Sequence, residues 1–285
     1  MNVGIAITDP DDWTARALVR SVRKRGADPV LFRLSEITSY AFDCSAMGDV
    51  DAVIVRDLGA GVFEEVSFKF DLLRVLEKNV PVINTSESIQ NAANKYYSLH
   101  LLKKAGLPVP ETVVTSDVDV AMDTLDRWGG AVTKPIFGYK GIGIRRFQSG
   151  SDLYDSNRKS IGEILSERGV LYLQEYLPIE RDIRAFVVGD HVAGAIYRYA
   201  QNGWITNLSQ GGTPERCVLS SEQEEVVILA SKVIGTAFAG VDIAETDEGF
   251  LILEVNGTPS GKGVYDACRV DVTEDIVDHL ISISD

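Results

Sequence analysis

The sequence predicts an α/β fold in which a small N-terminal parallel-sheet domain precedes a larger α+β region with two subdomains. Short apolar runs alternate with helical patterns in the first 90 residues, as in βαβ units that build parallel sheets. From about residue 110, strand patterns are instead joined by a glycine-rich loop and by hairpin turns. A chain of 285 residues can bury the cores of two or three packed units. We therefore expect domains at residues 1–90 and 91–285.

The first domain is predicted from its strands and helices in chain order. Strands are expected at residues 3–7, 51–55 and 80–84. One helix, ending near Gly26, follows the first strand, and a second helix over residues 62–78 follows the second strand. The turn Asp9-Pro10-Asp11-Asp12 provides N-cap candidates for the first helix. No G-x-G-x-x-G motif follows the first strand, so a dinucleotide-dependent dehydrogenase is poorly supported.

The second domain begins with a predicted helix over residues 88–105 and the extended segment Leu107-Pro108-Val109-Pro110. Its first subdomain, at about 110–177, places strands and helices around the glycine-rich loop. These elements are a strand before residue 117, helices over 117–128 and 151–167, and strands over 131–136, 142–147 and 170–177. The second subdomain, at about 178–285, has a hairpin turning at Gly189-Asp190, another near Glu248, and helices over about 220–237 and 272–283.

Composition and charge argue against several classes of protein. Acidic residues outnumber basic ones by 42 to 28, giving a net charge of -14, which disfavours nucleic acid as a partner. No apolar run is long enough to span a bilayer and the chain begins with a strand pattern, so we expect no membrane partner and a cytoplasmic location. Cys44, Cys217 and Cys268 are far apart, which argues against a disulfide framework or a zinc site.

Asp242, Glu254 and Asn256 form the most informative pattern in the chain. They lie in two apolar runs that flank Asp247-Glu248-Gly249, and a hairpin centred on Glu248 puts Asp242 opposite Glu254. Because side chains alternate along a strand, Asn256 shares a face with Glu254. Two carboxylates paired across a ladder repel each other unless a cation lies between them. Three hard oxygen donors suit Mg²⁺ bound together with substrate phosphates; the alternative is a solvated hairpin whose acidic residues are there by chance.

A glycine-rich loop and two lysines are candidate phosphate ligands. Gly138, Gly141 and Gly143 of the loop 137–144 let backbone amides approach an anion closely, although a tight turn would explain them as well. The loop joins two strands and lacks the P-loop spacing. Lys134 ends an apolar strand and must reach solvent or an anion, whereas Lys95 taken alone is typical of an exposed helix residue.

Further polar groups follow along the second domain. The segment Gln174-Glu175-Tyr176-Leu177 ends a strand and would present backbone groups to a flat base between two subdomains. Asp182 and Arg184 share one face of a strand, which suits ribose or carboxylate contacts; the alternative is a cross-strand salt bridge. Arg198 lies on the returning strand, and Thr206-Asn207 lies in the next loop.

Taken in order, these elements resemble an ATP-grasp ligase, in particular the α-L-glutamate ligase branch that includes enzymes modifying ribosomal proteins. The matching elements are Lys95, Lys134-Pro135, the glycine-rich loop, Gln174-Glu175-Tyr176-Leu177, Asp182-Ile183-Arg184, Asn207 with Gly211-Gly212, Asp242, and Glu254-Val255-Asn256. The resemblance covers about residues 90–285, and the N-terminal region fits the small α/β domain that usually precedes an ATP-grasp fold.

A finer resemblance points to archaeal enzymes that add glutamate to tetrahydromethanopterin and form tetrahydrosarcinapterin. It rests on Val53-Ile54-Val55-Arg56-Asp57-Leu58, Ser67-Phe68-Lys69-Phe70-Asp71 and Pro81-Val82-Ile83-Asn84. Ile205 and Gln210 stand where the ribosomal-protein branch tends to carry basic residues, which favours a different acceptor.

The resemblance implies a role for each matching residue. Lys95 and Lys134 would contact the phosphates of ATP beneath the loop of Gly138, Lys140, Gly141 and Gly143. Gln174, Glu175, Tyr176 and Leu177 would face adenine, Asp182 the ribose, and Arg184 and Thr206 would complete the nucleotide site. Asp242, Glu254 and Asn256 would hold Mg²⁺ or Mn²⁺, as two ions. Arg198 and Asn207 would stabilise the transferring phosphoryl group or the tetrahedral intermediate.

The implied activity is that of an ADP-forming acid–amino-acid ligase that joins L-glutamate to an acceptor carboxylate through an acyl phosphate. The segment 258–263 would shape the acceptor pocket, with Lys262 on an anionic tail. A homodimer or homotetramer is expected from the habit of the family. The alternatives are another acceptor, such as a deazaflavin coenzyme, a carrier protein or a ribosomal protein, or a non-catalytic nucleotide-binding module. Both lysines and all three metal ligands are present, which argues against the non-catalytic module.

Overall fold

Three β-sheets organise the part of the chain described by the computed structural model, which comprises residues 1–39, 49–138, 141–200, 206 and 213–284. The first sheet is parallel, and the second and third are antiparallel. Lys140, Ile205, Asn207, Gln210 and Gly211-Gly212, which entered the sequence predictions, lie outside these described residues. Among the described helices, none combines the length and the apolar character needed to cross a membrane.

The N-terminal parallel sheet confirms the predicted βαβ alternation. Its strands β1 (Asn2–Ala6), β2 (Asp28–Phe32), β3 (Ala52–Val55) and β4 (Val82–Ile83) are arranged in the order β2-β1-β3-β4. Helix α1 (Trp13–Lys24) begins after Asp12, whose carboxylate accepts a hydrogen bond from the Ala15 amide at 3.0 Å. Helix α2 (Phe63–Leu76) connects β3 to β4. Strand β2 was not predicted, because it is a half-exposed edge strand that contains Pro29.

The helix predicted over residues 88–105 is in fact two helices, α3 (Ser86–Ala93) and α4 (Lys95–Lys104). The break falls at Asn94, whose backbone has non-helical angles of φ -85 and ψ 96. Its side chain caps α4 by accepting a hydrogen bond from the Tyr97 amide at 3.0 Å, and the Lys95 amide donates to the Ile136 carbonyl at 3.1 Å. The prediction of one helix was wrong because the cap and this long-range bond outweigh helical continuity.

The second sheet carries the glycine-rich loop. Its strands β5 (Thr112–Thr115), β6 (Gly130–Lys134), β7 (Arg145–Gln148) and β8 (Leu171–Glu175) are antiparallel, in the order β5-β8-β6-β7. Helices α5 (Val118–Trp128) and α6 (Tyr154–Arg168) pack on this sheet and form a core cluster with it. The loop joins β6 to β7, as predicted.

The third sheet is the largest in the described part of the chain. It contains β9 (Arg181–Val188), β10 (His191–Tyr199), β11 (Thr213–Cys217), β12 (Phe238–Thr246) and β13 (Gly249–Asn256), in the order β11-β10-β9-β12-β13. The β9–β10 hairpin turns at Gly189-Asp190, as predicted, with Gly189 at φ +57. Helices α7 (Ser221–Ile234), α8 (Lys262–Cys268) and α9 (Val272–Ser284) follow; β11 and α8 were not predicted.

The first and third sheets share one hydrophobic core. Ile5 and Ile54 of the first sheet belong to the same buried cluster as Phe186 of β9 and Ile276 of α9. The side chain of Asn84, at the end of β4, is completely buried and donates to the carbonyls of Phe238 at 2.7 Å and Gly257 at 2.6 Å. Its oxygen accepts a hydrogen bond from the Ala237 amide at 2.6 Å. Close packing therefore crosses residue 90, and the domain boundary there stays a prediction.

Candidate functional site

A cleft of about 1980 Å³ is lined by residues from all three sheets and their connecting loops. Most of the predicted site residues that the structure describes line it. These are Lys95, Lys134, Gly138, Gly141, Gln174, Glu175, Tyr176, Leu177, Arg184, Arg198, Thr206, Asp242, Glu254 and Asn256. Two of the described site residues, Gly143 and Asp182, do not line the cleft. Residues far apart in sequence are thus brought to one surface, as the predicted site requires.

The β12–β13 hairpin pairs Asp242 with Glu254, which confirms the predicted register. The hairpin is not centred on Glu248, however, because Thr246 pairs directly with Gly249 across a two-residue turn. A bulge at Leu253 adds one residue to β13 and restores the pairing of the two carboxylates. A bulge that redirects side chains beside a cleft is a common feature of functional sites.

The oxygen atoms of this hairpin have protein partners in the structure. Glu254 Oε1 accepts a bond from Lys95 Nζ at 3.3 Å, and Asn256 Oδ1 accepts one from the Thr258 amide at 2.9 Å. Among the described residues there is no group of three His, Cys, Asp or Glu side chains that could hold a metal ion unaided. Two carboxylates and an amide oxygen on one cleft wall nevertheless suit Mg²⁺, which usually binds few protein ligands and completes its shell with phosphates and water. The residues present therefore fit the predicted ion, and the metal role stays a prediction.

Asp242 lies in a buried network of ion pairs that spans three strands. Arg184, its partner across β9 and β12, donates to both of its carboxylate oxygens, with Nη2 at 2.9 Å from Oδ2. Arg198 Nη2 lies 2.8 Å from the same oxygen. Burial alone would raise the pKa of Asp242, but Arg184 and Arg198 hold it at about 2. Asp242 is therefore ionised across the physiological range.

Asp182 faces Arg198 across β9 and β10 and does not reach the cleft. Its two oxygens accept bonds from Arg198 Nε at 2.7 Å and Nη2 at 2.6 Å, and from the Thr206 hydroxyl at 2.6 Å. This is the cross-strand salt bridge that the sequence left open as the alternative to a ribose contact. Asp182 is only 4% exposed and its carboxylate accepts three hydrogen bonds from protein groups, so the structure shows the ion pair, and the ribose contact stays a prediction.

Both predicted phosphate lysines reach the cleft. Lys134 Nζ donates to Gln174 Oε1 at 2.7 Å. Burial lowers the pKa of Lys134 to about 8, and Lys95 adds to this shift, while the Glu254 carboxylate opposes it. Lys95 Nζ donates to the Gly138 carbonyl at 3.0 Å, and only 10% of its side chain is exposed, so an exposed helix lysine is the wrong description. The two ammonium groups form a positive region in the cleft of an otherwise acidic protein.

The glycine-rich loop has backbone angles that need glycine. Gly141 and Gly143 have φ of +72 and +74, a region that other residues seldom adopt. The Gly143 carbonyl accepts a hydrogen bond from Arg168 Nη2 at 3.2 Å, which anchors the loop to α6. Phe137 and Ile142, on either side of the loop, are exposed and line the cleft.

The predicted adenine segment lies along the end of β8. Glu175 exchanges two bonds with Glu111: its amide donates to the Glu111 carbonyl at 3.0 Å, and its Oε1 accepts from the Glu111 amide at 2.9 Å. The Arg146 guanidinium carbon lies 3.7 Å from the centre of the Tyr176 ring. Gln174 is buried, and its Nε2 donates to Thr112 Oγ1 at 3.1 Å. The segment is therefore held firmly in place at the cleft wall.

The sequence predictions missed a further wall, supplied by the N-terminal sheet. Arg56, just after β3, lines the cleft, bonds the Asp12 carboxylate through Nε at 2.8 Å and Nη2 at 3.2 Å, and donates from Nη1 to the Thr258 carbonyl at 3.2 Å. Lys69 of α2 is buried beside this wall and donates to the Ala60 carbonyl at 3.1 Å. The sequence did contain a signal for this wall: Arg56-Asp57 directly follows a predicted parallel strand. Ligands commonly bind at the carboxyl ends of such strands in α/β sheets.

The fold and the cleft define an ATP-grasp protein. Residues 92–280 match the model of the RimK-like ATP-grasp domain, and the chain belongs to this family of ADP-forming carboxylate–amine ligases. ATP-grasp ligases use ATP and Mg²⁺. The identification of the family confirms the predicted fold class and the predicted class of enzyme.

Among its relatives, the chain is 45% identical to the tetrahydromethanopterin:α-L-glutamate ligase of Methanosarcina acetivorans, over 99% of each chain. It is 36% identical to the enzyme of the same name from Methanococcus maripaludis, over 99% of this chain and 98% of the relative. Among solved structures, the ATP-grasp ligase PsnB in complex with a precursor variant, Mg and ADP has a TM-score of 0.78 at 23% identity, covering 100% of this chain and 98% of PsnB. That structure supports the fold alone.

Proposed function

We propose that this chain joins L-glutamate to a carboxylate of tetrahydromethanopterin and converts ATP to ADP and phosphate, giving tetrahydrosarcinapterin. The observation that carries this proposal is the 45% identity to a tetrahydromethanopterin:α-L-glutamate ligase along 99% of both chains. The cleft supports it, because the residues that the ligase chemistry needs line one continuous surface. The names of these relatives specify tetrahydromethanopterin. The proposed acceptor carboxylate therefore belongs to a small molecule.

The reaction needs activation, because a carboxylate does not condense with an amine in water unaided. An oxygen of the acceptor carboxylate attacks the γ-phosphorus of ATP, the bond to ADP breaks, and an acyl phosphate forms. The glutamate amine then attacks the carbonyl carbon, a proton leaves the nitrogen, and the tetrahedral intermediate expels phosphate. The protein therefore contributes mainly positioning, charge neutralisation and exclusion of water.

The cleft residues divide these tasks. Lys95 and Lys134 bind phosphate oxygens, and the backbone of residues 175–177 lies along the base. Arg184 contributes to the nucleotide site, and Arg198 stabilises negative charge on the transferring group, a role that the resemblance also assigns to Asn207. Asp242, Glu254 and Asn256 would hold Mg²⁺, which neutralises phosphate charge when bound. The glycine-rich loop covers the phosphates and protects the acyl phosphate from water.

The acceptor occupies the wall that the N-terminal sheet supplies, near Arg56 and Lys262. Both residues line the cleft, and Arg56 Nη1 donates to the carbonyl of Thr258 at 3.2 Å, which connects this wall to the segment 258–263. Further parts of the proposal are a second metal ion, replacement of Mg²⁺ by Mn²⁺, a homodimer or homotetramer, and a cytoplasmic location. These four stay predictions from the sequence.

A panel of acceptors tests the proposal. The purified protein is incubated with ATP, Mg²⁺, L-glutamate and one acceptor at a time: tetrahydromethanopterin, a deazaflavin coenzyme, a carrier protein or a ribosomal protein. We expect the pterin to gain the mass of one glutamate residue and ADP to appear only when the pterin is present. A mass gain on another acceptor would reassign the substrate, and ADP release that ignores every acceptor would contradict the ligase assignment.

A further inference from the structure

The Asp182 carboxylate occupies the centre of the buried ion-pair network. It lies on β9 with 4% of its surface exposed, and it accepts three hydrogen bonds from two different elements. Two come from Arg198 on β10, in a bidentate pair with both distances below 2.8 Å. The third comes from the hydroxyl of Thr206, which is itself buried and lines the cleft. Asp182 itself does not line the cleft.

Arg198 has two carboxylate partners, and only one of them is also a predicted metal ligand. Its Nη2 lies 2.6 Å from Asp182 and 2.8 Å from Asp242. A divalent ion that shares the oxygens of Asp242 competes with Arg198 for the same negative charge. The bidentate bond to Asp182 is unaffected by that competition, so it keeps the guanidinium in place at the wall where charge develops during phosphoryl transfer.

We infer that Asp182 is a positioning residue, which fixes Arg198 for the ligase reaction and anchors Thr206 at the start of the segment that continues to Asn207. This inference rests on the proposed function and replaces the ribose contact implied by the resemblance. Asp182 acts through Arg198 and touches neither the nucleotide nor the acceptor.

A second ion pair on the same sheet provides a matched control. Arg181, the neighbour of Asp182 at the start of β9, pairs with Glu245 of β12 at 3.3 Å, but both side chains are more than a third exposed and neither lines the cleft. Glu245→Gln therefore removes a carboxylate from the same sheet without touching the cleft. A role that is merely structural would make the two variants differ in stability only.

The central test compares Asp182→Asn with the wild type and with Glu245→Gln. For Asp182→Asn we expect kcat to fall by about 100-fold, because loss of a well-placed charge stabiliser has this size of effect. The dissociation constant for Mg–ADP, measured by calorimetry, should change by less than about threefold, since the nucleotide does not touch Asp182. Glu245→Gln should match the wild type in kcat and in Mg–ADP affinity.

Coupling to Arg198 is tested by a double variant. If Asp182 acts through Arg198, adding Asp182→Asn to Arg198→Lys should lower kcat no further than Arg198→Lys alone. Asp182→Glu retains the charge, and we expect its kcat to lie between those of the wild type and Asp182→Asn. Should Asp182→Asn fail to fold, Asp182→Glu alone decides: reduced kcat with unchanged Mg–ADP affinity supports the inference, and unchanged kcat overturns it.

Two results overturn the inference directly. A tenfold or greater weakening of Mg–ADP binding with kcat retained would assign Asp182 to the ribose instead. Fully additive losses in the double variant would show that Asp182 does not act through Arg198.

The proposed function is judged separately, by acceptor-dependent turnover of the wild type. If that turnover is absent, the Mg–ADP measurements still decide between a ribose contact and no contact.

Discussion

A substitution at Glu254 can test metal binding without a large effect on folding. The Glu254 side chain is about one-third exposed, and its Oε1 accepts a hydrogen bond from Lys95 Nζ at 3.3 Å. We predict that Glu254→Ala lowers Mg²⁺-dependent turnover by at least 100-fold, because loss of a metal ligand removes charge stabilisation at the phosphates. Binding of Mn²⁺ in the presence of ADP, followed by electron paramagnetic resonance, should weaken in parallel.

The fold should survive this change, since a single ion pair at 3.3 Å whose carboxylate is about one-third exposed contributes little to stability. Glu248→Ala, in the exposed turn of the same hairpin, is the matched control and should retain full turnover. Near-wild-type activity of Glu254→Ala would contradict the metal assignment.

Lys134 should give nucleotide binding a dependence on pH. With a pKa of about 8, its amine is positively charged below that pH and neutral above it. We therefore predict that affinity for ADP falls by up to about tenfold between pH 7 and pH 9.5, since a neutral amine cannot pair with phosphate. Bound phosphate raises the pKa of the amine, so the affinity is greatest below pH 8 and falls as the pH rises from about 8 towards the higher pKa of the complex.

Lys134→Arg tests this assignment, because a guanidinium stays charged throughout that range. The variant should bind ADP with a flatter pH dependence than the wild type, as measured by calorimetry. Lys104→Arg, at the exposed end of α4, should leave the wild-type curve unchanged. Parallel curves for Lys134→Arg and the wild type would show that another group titrates.

At the scale of single elements, the loop between β6 and β7 depends on glycine at Gly143. Its φ is +74, and an added Cβ would lie 3.1 Å from Arg168 Nη2 and 3.1 Å from Pro135 Cγ. We predict that Gly143→Ala raises the KM for ATP about threefold or more, because strain of about 1–2 kcal/mol displaces the loop. Steady-state kinetics with ATP as the varied substrate measure the effect.

Gly162→Ala provides the comparison in the neighbouring helix. Gly162 lies inside α6, and an added Cβ there would meet no atom within 4 Å. Alanine favours a helix interior by up to about 1 kcal/mol over glycine, so this variant should unfold at a higher temperature with an unchanged KM. An equal rise in KM for both variants would show that the loop conformation is not the cause.

The elements that the sequence predicted well are those with strong local signals. Apolar runs bounded by turns fixed β1, β3 and both hairpins of the third sheet, and the pairing of Asp242 with Glu254 followed. The break at Asn94 and the bulge at Leu253 were missed, because each adjoins a hydrogen bond to a residue distant in sequence, from the Lys95 amide to Ile136 and from the Ile252 amide to Pro108. The partner of Asp182 could not be predicted for a related reason: its spacing from Arg184 defines a shared face but does not say which neighbouring strand supplies an ion-pair partner.

At the scale of the whole molecule, Asn84 joins the first sheet to the third. We predict that Asn84→Ala lowers the free energy of unfolding by about 2–4 kcal/mol, because it leaves a buried amide and two buried carbonyls without partners. Urea denaturation measures the change. Asn79→Ala, whose side chain makes one exposed bond to the Val75 carbonyl at 3.1 Å, should cost less than about 0.5 kcal/mol. Similar costs for both variants would contradict this role of Asn84.

The shared core and Asn84 have a consequence for how substrates enter. Gly257, one of the two carbonyl partners of Asn84, directly follows Asn256, so the strand of the predicted metal ligands is hydrogen-bonded to the end of the N-terminal sheet, which supplies the proposed acceptor wall. The sheet with the glycine-rich loop has a core cluster of its own. We therefore expect the predicted metal ligands and the N-terminal wall of the cleft to keep their relative positions before any ligand binds.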